Sequence, residues 1–148
     1  PFLVALALSG MEPVPVILLS PTITGTGNHT TCQRIAEALQ NLTSYPESKK
    51  LEKKDPPARR EIIVIPALDP DAGIHVERVI SQKKVACIFG IHALKSGRHL
   101  VNIQKNIPYA IILGGTDINE YESLPENSQA IVVECLRGAS AVVAFSEE

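Results

Sequence analysis

Five short apolar runs recur along the chain, separated by stretches whose apolar residues fall three and four positions apart. The runs are 16–20 (Val16-Ile17-Leu18-Leu19-Ser20), 61–65 (Glu61-Ile62-Ile63-Val64-Ile65), 85–89 (Val85-Ala86-Cys87-Ile88-Phe89), 109–113 (Tyr109-Ala110-Ile111-Ile112-Leu113) and 141–145 (Ala141-Val142-Val143-Ala144-Phe145). They are near-continuous and rich in β-branched residues rather than alternating, as strands covered on both faces of a parallel sheet must be. The intervening stretches have helical period. A helix over 31–42 places Cys32, Ile35, Ala36, Leu39 and Leu42 on one stripe, and Thr30 with Gln33 forms a capping box at its start. A second opens at Asp69-Pro70, a cap followed by a first-turn proline, and turns Ala72, Val76, Val79 and Ile80 inward. A third spans about 92–104 with Ala93, Leu94, Gly97, Leu100 and Val101 on one face, and Pro108 bars its extension. The fourth, about 127–137, carries Ile131, Val132, Cys135 and Leu136 and stops at Gly138.

Strand and helix in strict alternation predict an α/β fold with a doubly wound parallel sheet of about five strands in the order 3-2-1-4-5. Residues 1–15 read as an N-terminal extension and 16–148 as one domain. One stretch breaks the alternation. Ser44 to Arg60 is charged, proline-bearing and poor in apolar residues, and is expected to be a long mobile loop. Its six basic residues form either a solvated linker or a contact for phosphates or an anionic surface. At the N-terminus, Phe2 to Leu8 is apolar but too short to span a bilayer, and no basic residues precede it. The sole methionine, Met11, is expected to be the natural start.

Composition narrows the function classes. The 148 residues are 45% hydrophobic and 20% charged, with a formal net charge of −2. That charge gives no positive field to draw nucleic acid or an anionic membrane. Aromatics make up 4% and tryptophan is absent, so the chain has little to build base-stacking platforms from. Cys32, Cys87 and Cys135 show neither a C-x-x-C pair nor metal spacing with a histidine, and are expected to be buried reduced thiols. A reducing, cytoplasmic setting follows; a secreted chain is the alternative, in which the sequons at Asn28 and Asn41 would matter. No metal site is expected.

Two glycine-bearing turns follow apolar runs, and candidate chemistry gathers around them. Pro21 to His29 contains Gly25, Gly27 and Asn28; Gly114 to Glu120 contains Gly115, Thr116, Asp117 and Asn119. A glycine turn between strand and helix leaves backbone N–H groups free at the positive end of the helix dipole, so both turns are candidate anion sites. Neither is a dinucleotide fingerprint. Thr30 stands where the third glycine belongs, and Ile65-Pro66-Ala67 ends the second strand without a carboxylate for a ribose. No Gly-Lys-Ser/Thr follows either, so NAD and ATP are both disfavoured and no cofactor is expected. Asp117 either caps a helix and orients Thr116, or binds hydroxyls and organises catalytic neighbours. His92, at the end of the third strand, is either a packed capping residue or a rim residue of the same crevice. Arg34 is either a solvated helix charge or a guanidinium reaching back to the first turn. His75 and His99 fall on helices and are assigned no role.

Four strings together resemble one family. Thr26-Gly27-Asn28-His29-Thr30-Thr31-Cys32-Gln33-Arg34, Ile91-His92-Ala93-Leu94-Lys95-Ser96-Gly97, Ile107-Pro108-Tyr109-Ala110-Ile111-Ile112-Leu113-Gly114-Gly115-Thr116-Asp117-Ile118-Asn119-Glu120, and Ala139 to Glu147 are similar to stretches of glycosyltransferase 1 domain-containing proteins. The likeness runs from about residue 16 to the end. It implies the Rossmann-like N-terminal half of a GT-B glycosyltransferase, which moves a sugar from a nucleotide-diphosphate sugar to an acceptor, with retention. It further implies that Gly25 and Gly27 bring backbone amides near the donor phosphates or the reacting sugar, with Asn28 among the substrate-binding residues and Arg34 supporting the first turn. By the same likeness His92 meets the transferred sugar, and Gly115, Thr116, Asp117 and Asn119 line the acceptor side. His92 and Asp117 are the catalytic candidates. Two expectations follow from a chain ending just past the fifth strand: a missing C-terminal GT-B domain leaves the isolated residues nearly inactive, and the uncovered face favours self-association. The alternative is a non-enzymatic Rossmann-like module that binds a small anionic ligand or a partner protein.

Overall fold

The computed structural model describes residues 14–22, 27–41, 59–103 and 107–144. Within them the chain forms β1 (Val16–Ser20), α1 (Gly27–Asn41), β2 (Ile62–Pro66), α2 (Ala72–Gln82), β3 (Ile88–Ile91), α3 (Ala93–Leu100), β4 (Tyr109–Leu113), α4 (Gly115–Asn119), a 3-10 turn at Tyr121–Ser123, α5 (Glu126–Gly138) and β5 (Ala141–Ala144). The five strands make one parallel sheet flanked by helices, as the alternation of runs predicted. Residues 1–13 of the extension at 1–15, and most of the basic loop, residues 44–58, lie outside the described residues.

The strand order is β2-β1-β3-β4-β5, not the expected 3-2-1-4-5. Two features of the strands account for it. Every residue of β3 is buried, so β3 needs neighbours on both edges as well as cover on both faces. β2 is partly exposed and ends in Pro66, paired with Ser20 of β1. Proline has no N–H to offer a neighbour, so such a strand belongs at a sheet edge. An order with β2 inside would have spent a ladder bond at Pro66.

Side chains of β1 alternate strictly between two cores. Ile17 and Leu19 join Ile65, Ile88 and Ile111 against Val76 and Ile80 of α2, Ala93 and Leu100 of α3, and Val132 and Cys135 of α5. Val16 and Leu18 join Phe89, Ile91, Ala110 and Ile112 against Cys32 and Leu39 of α1. That division is the one right-handed crossovers impose. The β1–β2 connection runs one way along the sheet and puts α1 on one face. The later connections run the other way and put α2, α3 and α5 on the opposite face.

Several boundaries moved. α1 begins at Gly27, so Thr30 lies in its first turn rather than at the cap. α2 begins at Ala72, with Asp69-Pro70 forming a turn before it in which the Asp69 carboxylate accepts from Asp71 N at 2.9 Å. β3 starts at Ile88 rather than 85 and runs on through Gly90. The preceding residues still pair through single backbone bonds, from Ala86 N to Pro15 O and from Ile17 N to Cys87 O. α4 and the 3-10 turn had no apolar period to announce them. Arg60, read as part of the solvated basic stretch, is buried and donates from Nη1 to Val14 O at 3.0 Å. It is structural and not a surface charge. Cys32 and Cys135 are buried and Cys87 is half-buried, all three free. Burial pushes the Cys87 and Cys135 thiols up to about 11, so both are packing groups rather than nucleophiles at neutral pH.

Candidate functional site

Because the strands all run the same way, their carboxyl ends at Ser20, Pro66, Ile91, Leu113 and Ala144 form one edge of the sheet. The winding reverses between β1 and β3: the chain leaves β1 toward β2 and leaves β3 toward β4. In open α/β sheets the crevice outside that reversal is where ligands sit. Gly27 opens α1 beyond β1, His92 follows β3 directly, and Gly114 to Asn119 follow β4. The observed order makes β1, β3 and β4 consecutive. In the order 3-2-1-4-5, three interstrand spacings of about 4.8 Å would separate the end of β3 from that of β4. The adjacency of β3 and β4 is therefore what brings His92 to Asp117.

His92 is the only non-glycine residue with positive φ among the described residues, at φ 73 and ψ 112. A side chain in that region costs on the order of 1–3 kcal/mol and persists only where its surroundings over-determine it. Both flanking peptide groups are pinned here. His92 N donates to Ile112 O at 2.9 Å, and Ser96 N donates to His92 O at 3.0 Å. The next amide, Ala93 N, donates to Asp117 Oδ1 at 2.9 Å. Ser96, fully buried, adds a hydroxyl 2.6 Å from Ile91 O and 3.1 Å from Leu19 O, tying the ends of β3 and β1 to α3.

Asp117 is the junction of the two turns. Its Oδ1 takes Ala93 N, its Oδ2 takes Gly114 N at 2.9 Å, and His92 Nδ1 stands 2.6 Å from Oδ1. Both residues are largely buried, His92 at 8% and Asp117 at 9% exposure. Asp117 sits inside the short helix α4, and Asp117 N donates to Gly114 O at 3.1 Å. Its carboxylate thus closes its own turn and reaches across to the next one. The carboxylate braces backbone amides in both turns.

The other candidates fall around this pair. A Cβ placed at Gly27 or Gly115 would meet nothing within 4 Å, so the backbone at both points is open to approach. Asn119 is exposed at the end of α4. Arg34 is exposed on α1. Gly25 and the side chains of Asn28 and Thr116 lie outside the described residues. Sequence reasoning missed Ser96, whose signal, a lone serine on an apolar helical stripe, is weak. Three shallow clefts lie elsewhere. One of 480 Å³ opens at the amino end of β4 between Leu100, Ile107, Tyr109 and Gly138. One of 610 Å³ runs along α5, and one of 380 Å³ lies between α2 and α3. None brings together a strained residue and a buried carboxylate, so the rim carries the stronger case. Among the described residues no group of three or more His, Cys, Asp or Glu is placed to hold a metal, and no helix is long and apolar enough to cross a membrane.

The strain at His92 gives a direct expectation. His92→Gly and His92→Ala both lose the ring, but only alanine keeps a Cβ at positive φ. The glycine variant is expected to be the more stable of the two by about 1 kcal/mol in urea unfolding. Equal midpoints would mean that the backbone relaxes out of this conformation once the ring is gone.

No known protein family matches the chain, and neither the curated proteins nor the solved structures give a significant match.

Proposed function

We propose that the chain is the N-terminal domain of a GT-B glycosyltransferase, serving the transfer of a sugar from a nucleotide-diphosphate donor to an acceptor with retention. The observation that carries the reading is His92. A titratable side chain is held at positive φ at the point where the sheet reverses its winding, and a buried carboxylate backs it. Strain of this kind gathers at functional sites. The strings around Gly27, His92 and Gly114–Asn119 that resemble the transferase family are also the segments that meet this edge.

In this reading the open backbone at Gly27 offers amide hydrogens at the start of a fifteen-residue helix to the donor phosphates. His92 faces the transferred sugar, and Gly115 and Asn119 face the acceptor. A GT-B enzyme places a second α/β domain across the cleft, and stabilisation of the departing diphosphate requires donors on both of its walls. The present residues supply one wall.

The test is a titration of the labelled chain with uridine and guanosine diphosphate sugars, followed by backbone amide shifts. Changes are expected at Gly27, His92, Ala93 and Gly114 to Asn119. Shifts confined to the clefts along α5 or between α2 and α3, or none at millimolar ligand, would remove the transferase assignment. A response to inorganic phosphate equal to that for the sugar nucleotides would favour a simple anion-binding module instead.

A further inference from the structure

We propose that Asp117 is a positioning residue that acts through His92: it fixes the imidazole proton on Nδ1 and leaves Nε2 as an acceptor nitrogen. The separation of 2.6 Å between His92 Nδ1 and Asp117 Oδ1 decides where the proton lies. The contact is not aligned as a hydrogen bond, yet at that distance a carboxylate oxygen repels a bare nitrogen lone pair and attracts an N–H. The carboxylate already accepts from Ala93 N through Oδ1 and from Gly114 N through Oδ2, so both its oxygens are used as acceptors. The contact therefore favours a ring that carries its hydrogen on Nδ1. A neutral imidazole with its proton on Nδ1 has a lone pair on Nε2.

The backbone makes this arrangement hard to escape. At φ 73 the His92 side chain is thrown to the Asp117 side of the turn, and three main-chain hydrogen bonds hold it there: His92 N to Ile112 O, Ser96 N to His92 O, and Ala93 N to Asp117 Oδ1. One carboxylate thus stabilises the strained peptide and chooses the tautomer. A group that meets Nε2 of the neutral ring must bring a hydrogen, either a hydroxyl or an N–H, and a bare phosphate oxygen does not qualify. This consequence rests on the transferase reading only in supposing that the ring meets substrate. The tautomer does not depend on it.

The experiment is a long-range proton–nitrogen correlation spectrum of the chain with ¹⁵N-labelled histidine, recorded in progressively more alkaline buffer until the spectrum no longer changes with pH. The chain has four histidines, and the signals absent from the His92→Gly variant are those of His92. The expected spectrum shows Nδ1 carrying the proton and Nε2 bare. Asp117→Asn keeps an acceptor oxygen beside the ring and is expected to retain that pattern; Asp117→Ala is expected to spread the proton over both nitrogens. A proton on Nε2 in the unmodified chain overturns the proposal, and so does an unchanged Nδ1 proton in a folded Asp117→Ala variant. Should that variant not fold, the spectrum of the unmodified chain decides alone. The measurement uses no sugar nucleotide, so failure of the transferase assignment leaves it standing, and failure here leaves the ligand titration unaffected.

Discussion

Replacing Gly90 with alanine is expected to destabilise the fold by about 1–3 kcal/mol, the range seen when a methyl group is forced into a packed core. Gly90 lies in the middle of the sheet, opposite Leu19 of β1 and Ile111 of β4. A Cβ there would stand 2.9 Å from Ile111 Cδ1 and 3.0 Å from both Leu100 Cδ1 and Ser96 Cβ. Two of these neighbours are ends of flexible side chains and can shift. Ser96 cannot, because its hydroxyl is fixed to Ile91 O and Leu19 O. The added methyl must therefore lift the first turn of α3 away from the sheet. His92 sits at the root of that turn, so the same substitution is expected to disturb the His92 and Asp117 amide resonances. Urea unfolding checks the first effect as a lower midpoint with unchanged slope. A midpoint equal to that of the parent chain would show that Leu100 and Ile111 absorb the methyl without moving α3.

Gly90 also shows where sequence reading stopped. Gly90 lies just past the apolar run 85–89, which carries no sign that the strand continues through it. Here the backbone continues straight, and the missing side chain serves the approach of α3. That need arises from a helix whose packing distance no local pattern reveals. The existence and type of the major elements were legible, because near-continuous apolar runs and 3.6-residue stripes are direct consequences of being buried on two faces or one. The strand order 3-2-1-4-5 expected from the alternation differs from the observed one, although Pro66 carried the information. A proline at the end of β2 argues for an edge, and an edge position for β2 forces β3 inward. Of the candidate site, His92 and Asp117 were each visible as polar residues just past a strand. Their partnership was not visible, since it depends on β3 and β4 being neighbours. The positive φ of His92 was hidden as well, because nothing in Ile91-His92-Ala93 marks a left-handed residue.

Asp117→Ala is expected to cost about 3 kcal/mol of folding stability, the sum of two lost hydrogen bonds whose donors remain inside the protein. Ala93 N is attached to a fully buried residue and would find no water, which puts its loss toward the upper part of the usual 1–3 kcal/mol for an orphaned group. Gly114 N belongs to a partly exposed residue and can be hydrated, so its share is smaller. A third effect compounds these two. Without the carboxylate, one of the three main-chain bonds that hold His92 at φ 73 disappears, and the strain there is no longer fully opposed. Asp117→Asn separates the contributions. Its single carbonyl oxygen can keep Ala93 N, but its amide nitrogen cannot accept from Gly114 N, so it is expected to lose about 1 kcal/mol and remain folded. Coupling follows from the geometry: in the His92→Gly background, which has no side chain left to hold, Asp117→Ala is expected to cost measurably less than in the parent chain. Identical costs in the two backgrounds would mean that Asp117 braces the turns alone and that His92 only happens to lie beside it.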